Sequence, residues 1–253
     1  MKLIALIPSR YGSTRLPGKA LAPILGKPMI QWVYEQARQV KELDGLYVAT
    51  DDARIMECVE GFGGQAILTR EDHPSGSDRL AEAAEILGLS PEDVVINIQG
   101  DQPVFPPRLI GQLAALLGRD CSAVMATPMR RITDLETARN PNVVKVVFDY
   151  RGRALYFSRS PLPFWRDGEK PYFFKHIGIY AYRTEFLRNF VTLPPRRWEE
   201  AEKLEQLRAL EYGFPIHLVE TTEDTVEVDT PEDLARAEAY LRVKLEEGTL
   251  HEG

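Results

Sequence analysis

Short apolar runs alternate with amphipathic segments through the first half of this chain, and no other feature restricts its fold so tightly. Leu3–Ile7, Gly45–Thr50, Gln65–Thr69, Asp93–Ile98 and Cys121–Thr127 read as strands. Between them Met29–Val40, Ala53–Glu60, Ser77–Leu87 and Pro106–Leu117 carry helical spacing. Start signals support the helices: Pro28 stands before the first, Asp51 and Asp52 before the second, and Ser77 opens the third. Strands that are apolar along their whole length belong in a sheet covered on both sides. The predicted class is therefore α/β, a mostly parallel twisted sheet with helices on both faces.

Beyond residue 140 the pattern becomes β-rich. Val143–Phe148 and Ala154–Ser158 predict a hairpin across the turn Asp149–Arg153, and Tyr172–Tyr182 reads as one long strand. Glu185–Val191 and Trp198–Glu211 are helical, Pro215–Val219 is a strand, and Pro231–Leu245 is a closing helix capped by Asp229-Thr230. Residues 160–175 predict a projecting loop or arm. With 253 residues the expectation is a single domain, since α/β domains of about 200–250 residues are common. Within it, residues 1–130 would mainly bind one ligand, 140–215 would form a second lobe, and 216–245 would return to the core. A net charge of −7 argues against a broad nucleic-acid surface. Cys58 and Cys121 form no CxxC pair and suggest neither a zinc site nor a disulfide framework. The N-terminal apolar run is too short for a signal peptide and no run reaches membrane-helix length, so a cytoplasmic location is expected.

Residues 8–19, Pro-Ser-Arg-Tyr-Gly-Ser-Thr-Arg-Leu-Pro-Gly-Lys, follow the first strand. In an open α/β sheet ligands bind outside the carboxyl ends of the strands. An acidic protein has concentrated Arg10, Arg15 and Lys19 there, between glycines that permit close backbone approach. The loop suits a polyanion such as a nucleoside triphosphate. It is not a Walker A loop, because five residues separate Gly12 from Gly18 and Ala20 stands where Ser or Thr is required. A solvated basic turn is the plain alternative.

Gln99-Gly100-Asp101 follows the apolar strand that ends at Ile98. Asp101 can hold Mg²⁺ against a triphosphate, or can simply cap the next loop. In Val228-Asp229-Thr230-Pro231-Glu232-Asp233 the acids make a strong helix start, and helix grammar alone does not decide which of them is functional.

Together these segments resemble the 3-deoxy-manno-octulosonate (Kdo) cytidylyltransferase family. The likeness includes Ile7–Lys19, Ala49-Thr50-Asp51, Asp72–Glu82, Asn97–Asp101, Asn140–Val146, Ala154–Arg159, His176–Tyr180, Leu204–Arg208 and Val228–Leu234. Gln102 departs from the Glu of many relatives, and Ser77-Asp78 from a common Thr-Glu. The resemblance implies a Rossmann-like nucleotidyltransferase fold with a small β-rich lobe for dimerisation and sugar binding. It implies a cytoplasmic, Mg²⁺-dependent homodimer that joins CTP to Kdo, giving CMP-Kdo and pyrophosphate for lipopolysaccharide biosynthesis. A CMP-sialic acid synthetase, or another sugar nucleotidyltransferase, is the alternative.

It further implies site roles. Arg10, Arg15 and Lys19 would face the triphosphate, with Pro8, Ser75, Gly76, Arg79 and Asp101 completing the nucleotide site. Asp101 and Asp229 would hold the metal, and Lys19, Arg10, Asp101 and Asp229 would carry catalysis. Gln99, Arg159, His176, Glu205 and Gln206 would line the sugar pocket. Arg159 suits a fork to the sugar carboxylate. His176 is read as a substrate ligand in preference to a general base, and His73, His217 and His251 receive no catalytic role.

Overall fold

The computed structural model describes residues 1–12, 16–120, 122–167 and 172–248. Apart from the two-residue strands β2 (Pro23–Ile24) and β3 (Lys27–Pro28), which the sequence reading did not include, the first half alternates as its sequence predicts: β1 (Leu3–Ser9), α1 (Met29–Arg38), β4 (Gly45–Thr50), α2 (Ala53–Gly61), β5 (Ala66–Leu68), α3 (Gly76–Ile86), β6 (Val94–Asn97) and α4 (Arg108–Arg119). It continues through β7 (Met125–Ile132), α5 (Leu135–Arg139), β8 (Lys145–Phe148), β9 (Ala154–Ser158), β10 (Phe173–His176), β11 (Tyr180–Arg183), α6 (Thr184–Thr192), α7 (Arg197–Glu202), α8 (Gln206–Glu211), β12 (Ile216–Thr221) and α9 (Pro231–Glu246).

Among the described residues one ten-stranded sheet crosses both halves, in the order β5-β4-β1-β6-β11-β7-β10-β8-β9, with β12 also paired to β7. The joints β5-β4-β1-β6 are parallel, as is β7-β12. β11, β10 and β9 run against their neighbours. The sheet is thus mixed, with most strands running one way, and the hairpin β8-β9 pairs antiparallel as expected.

Alternation along β1 explains the two-sided core. Ile4 and Leu6 face one apolar cluster with α3, α6 and α8; Leu3, Ala5 and Ile7 face another with α1, α2 and α4. α9 closes a third cluster, in which Ala237 and Leu241 meet Trp32, Ile24 and Val228.

Four expectations need correction. The strand expected at Cys121–Thr127 begins at Met125: a turn at Asp120, whose carboxylate accepts the Ser122 N–H at 2.9 Å, delays it. It then runs on through Pro128, where β7 changes neighbours from β11 to β10 and the missing N–H costs little. The run Tyr172–Tyr182 is two strands, broken at Ile177-Gly178-Ile179, where the Ile179 N–H turns back onto Ile177 O at 2.8 Å. The helix Trp198–Glu211 is two helices, because Lys203 takes a left-handed conformation (φ 54°). Arg208 and Glu199 pair across that break at 2.6 Å. Finally, α3 is capped by Ser75, whose hydroxyl accepts the Asp78 N–H, and Ser77 lies inside the first turn. The closing helix does carry its cap, with Thr230 and Asp233 forming a reciprocal capping box.

Candidate active site

Two clefts open at the carboxyl ends of the strands and meet at Gln99 and Asp229, which line both. The smaller, of about 320 Å³, is walled by Pro8, Ser9 and Arg10 at the end of β1, by Lys19, by Ser75, Gly76 and Arg79 of the α3 start, and by Asp101. The larger, of about 770 Å³, is walled by Asn140 and Asn142, His176, Tyr180, Glu205, Gln206 and the segment 224–230.

Backbone geometry brings the smaller cleft together. A side chain at Gly100 would place its Cβ 2.9 Å from Pro8 O, so only glycine lets the two strand ends pack this closely. Gly18 turns with φ 66° and its N–H returns to Tyr11 O at 3.2 Å, closing the loop between them. Arg54, forked onto Asp52, lies 3.3 Å from the Tyr11 ring centroid and anchors that loop. Arg15 lies outside the described residues.

Lys19 joins the two acids singled out in the sequence. Its Nζ is 2.6 Å from Asp101 Oδ2, 3.0 Å from Asp229 Oδ1 and 3.0 Å from Val228 O. Burial works against the charge on Lys19, but attraction and hydrogen bonds from Asp101 and Asp229 outweigh it and raise the amine above its ordinary range. Two carboxylates therefore converge on one cationic position. Among the described residues no cluster of three metal-ligating side chains forms. A hard cation held here would complete its shell from substrate oxygens, as Mg²⁺ does, so the donor set fits Mg²⁺.

Arg79 is buried and braces the wall: its Nη2 donates to Asp51 at 2.6 Å and its Nη1 to Thr69 at 2.5 Å, tying the ends of β4 and β5 to α3. Its guanidinium faces these partners across the back of the cleft.

In the larger cleft Gln99 donates to Gly178 O at 3.1 Å and Asn97 Oδ1 at 3.3 Å. The break between α7 and α8 aims Leu204-Glu205-Gln206 into the wall. Glu205 accepts from Ser77 Oγ at 2.6 Å, while its other oxygen is buried without a hydrogen-bond partner. Burial raises its carboxyl above the usual range despite those neighbours. His176 contacts Thr127 Oγ1 at 3.0 Å, and burial pushes its imidazole down to about 3. A group that weakly basic makes a poor proton acceptor near neutrality.

Arg159 is half-exposed and is not among the residues that line either cleft; it donates to Glu202 O at 2.8 Å and Pro141 O at 2.9 Å, beside Asn140 and Asn142 of the larger cleft. Lys145, fully buried, holds the same wall by donating to the carbonyls of Asn140, Val143 and Arg159. His73 contacts Glu82 and His217 approaches Asp120 at 3.8 Å, both away from the cleft linings.

Sequence reasoning missed Glu227, Lys175, Asp224 and Arg236 and left Asp233 undecided among the helix-start acids; all five line the larger cleft. Lys175 pairs with Asp224 and Arg236 with Asp233, so both cations are already matched. Glu227 is open to the cleft yet closely walled, and desolvation, then the Asp101 charge, push it up to about 7. The signal for it was present. Val226-Glu227-Val228-Asp229 alternates, and the segment pairs with 101–104 through Val226 N to Val104 O and Val228 N to Asp101 O, so acids two apart share one face.

A family model described as cytidylyltransferase matches residues 4–229. The chain belongs to the cytidylyltransferase family. Among its relatives, a 3-deoxy-manno-octulosonate cytidylyltransferase of Syntrophobacter fumaroxidans is 55% identical, over 92% of this chain and 94% of that protein. An 8-amino-3,8-dideoxy-manno-octulosonate cytidylyltransferase of Shewanella pealeana is 53% identical, over 96% of this chain and all of that protein. The solved structure of a CMP:2-keto-3-deoxy-manno-octonic acid synthetase complexed with CTP is 45% identical, with a TM-score of 0.91 over 96% of this chain and 100% of that one. This cytidylyltransferase is therefore a nucleotidyltransferase.

Proposed function

We propose that this cytidylyltransferase transfers CMP from CTP to the anomeric hydroxyl of Kdo, releasing pyrophosphate. The observation that carries the reading is the meeting of the two clefts at Asp229 and Gln99, with Lys19 bridging Asp101 and Asp229 at the junction. The activity named for its relatives supports the choice of substrates. The sugar hydroxyl, its proton passing to solvent, forms a bond to the α-phosphorus as the bond from that phosphorus to the pyrophosphate oxygen breaks in line and pyrophosphate takes the electron pair. Catalysis of this kind is mainly positioning and charge stabilisation.

Arg10 and Lys19 set positive charge against the leaving pyrophosphate. Ser75 and Gly76 place the open N-terminus of α3 against the nucleotide. Gln99, His176, Glu205 and Gln206 orient the sugar, and Arg159 supports the 140–143 wall through Pro141 O. Asp101 and Asp229 would hold Mg²⁺, which when bound supplies Lewis-acid stabilisation of phosphate charge. On the same reading the protein works as a cytoplasmic homodimer in lipopolysaccharide assembly.

One observation favours a second acceptor. The larger cleft holds Glu227, for which no ion pair forms among the described residues, since Lys175 and Arg236 pair with Asp224 and Asp233 and Arg208 lies 3.5 Å from Glu205. Such a wall accommodates an ammonium, as in the 8-amino sugar named for the Shewanella relatives. Pyrophosphate release from CTP with Kdo, 8-amino-Kdo, sialic acid and sugar 1-phosphates tests both readings. Release with Kdo and its 8-amino analogue is expected; release only with sialic acid or a sugar 1-phosphate overturns the assignment.

A further inference from the structure

Thr127 in β7 is fully buried beside His176. Its hydroxyl oxygen lies 2.8 Å from Ile179 O, 3.0 Å from Ile177 O and 3.0 Å from His176 Nε2. A hydroxyl has one proton to give and lone pairs to receive with. Neither carbonyl can donate, and two oxygens 2.8 Å apart repel unless a proton lies between them. The Thr127 proton is therefore committed to the carbonyls at the β10–β11 break, nearest to Ile179 O. The third contact must run the other way, with His176 Nε2–H donating to Thr127 Oγ1.

A neutral imidazole carries one N–H, so Nδ1 keeps its lone pair. Among the described residues Nδ1 has no hydrogen-bond partner, and His176 lines the larger cleft. The ring is also held in plane. Phe157 packs against it at 5.2 Å between centroids and 85°, and Tyr180 at 5.2 Å and 42°. Burial that pushes the imidazole down to about 3 keeps it neutral at assay pH.

We propose that Thr127 is a positioning residue for the acceptor sugar: it fixes His176 as the Nε2–H tautomer, so that Nδ1 accepts a hydrogen bond from a sugar hydroxyl. A lone pair in that place selects a donor and repels a carboxylate. The sugar therefore turns a hydroxyl, and not its acid group, toward His176. The opposite tautomer would present an N–H and invert that preference. The proposal rests on reading the larger cleft as the sugar site.

Long-range ¹H–¹⁵N correlation spectra of the labelled wild-type protein read the tautomer without any substrate, and Nδ1 is expected to be unprotonated. Thr127→Val, which removes the hydroxyl at nearly constant shape, should mix the tautomers and raise KM for Kdo about tenfold, with KM for CTP within about twofold. Thr127→Ser should restore both the tautomer and the sugar KM. A wild-type Nδ1–H tautomer overturns the proposal, as does a Thr127→Val enzyme with wild-type sugar KM. Should Thr127→Val fail to fold, the wild-type spectrum and the Ser variant still decide: a mixed tautomer in Thr127→Ser counts against the lock. Failure of the substrate reading looks different, as an Nε2–H spectrum from a wild-type protein that releases no pyrophosphate with CTP and Kdo.

Discussion

The contact of Lys19 Nζ with both Asp101 and Asp229 concentrates opposite charges 2.6 and 3.0 Å apart at the junction of the clefts. The consequences of removing each partner differ. Asp101→Asn removes a metal-holding charge but keeps the shape, so turnover should vanish while circular dichroism and thermal midpoint stay near wild type. Wild-type rates in saturating Mg²⁺ would remove Asp101 from the metal site. Lys19→Ala should lower kcat/KM by about 10²-fold or more, on the order of 3 kcal/mol of transition-state stabilisation. A loss of tenfold or less would make Lys19 a structural bridge between the acids rather than a catalytic charge.

Elements are positioned by polar contacts that hydrophobic patterning does not reveal. Asp93, at the start of β6, accepts the Lys2 N–H at 2.6 Å and the Ser90 N–H at 2.8 Å, registering β6 beside β1. Burial alone would raise its carboxyl; these N–H bonds outweigh it and hold the group below the usual carboxylate range. A depressed folded-state pKa gives stability that is present above the unfolded value of about 4 and lost as pH falls through the lower folded value. Asp93→Asn should therefore destabilise the protein at pH 7 by about 1–3 kcal/mol, with the difference from wild type shrinking below pH 4. Urea unfolding at pH 7 and pH 3 measures this, and a constant difference at both would contradict it. The broken helix α7–α8 makes the same point: Arg208 and Glu199 hold the break that turns Glu205 into the cleft.

At the scale of the whole molecule, one sheet carries both clefts, so a change beside one cleft should be felt selectively. Arg159 holds the backbone at Pro141 and Glu202, beside the larger cleft. Arg159→Ala should raise KM for the sugar well above any change in KM for CTP, through the 140–143 wall. Equal effects on both substrates would count against that division. The hairpin lobe also exposes large apolar groups, with Tyr150 at 88% and Leu155 at 59%, the latter on β9 at the sheet edge. Homodimerisation through this lobe predicts a dimer in sedimentation velocity, and a shift toward monomer in Leu155→Glu; an unchanged sedimentation coefficient would place the interface elsewhere.

The sequence by itself determined the alternating first half, the two-sided core read from β1, the strand ends that carry Arg10 and Asp101, and the capped start of α9. Each depends on periodicity or turn chemistry over a few neighbouring residues, which a linear sequence records. The resemblance to Kdo cytidylyltransferases added the identity of the nucleotide and the sugar. Only the tertiary structure decided the breaks at Ile177–Ile179 and Lys203, the backbone partners of Arg159, and the place of Glu227 in the larger cleft. Those outcomes are set by partners far along the chain: Pro128 and Thr127 for the first break, Glu202 and Pro141 for Arg159, residues 101–104 for Glu227. The lone pair assigned to His176 is likewise a property of Thr127, 49 positions away, and becomes readable once folding brings one hydroxyl between an imidazole and two carbonyls.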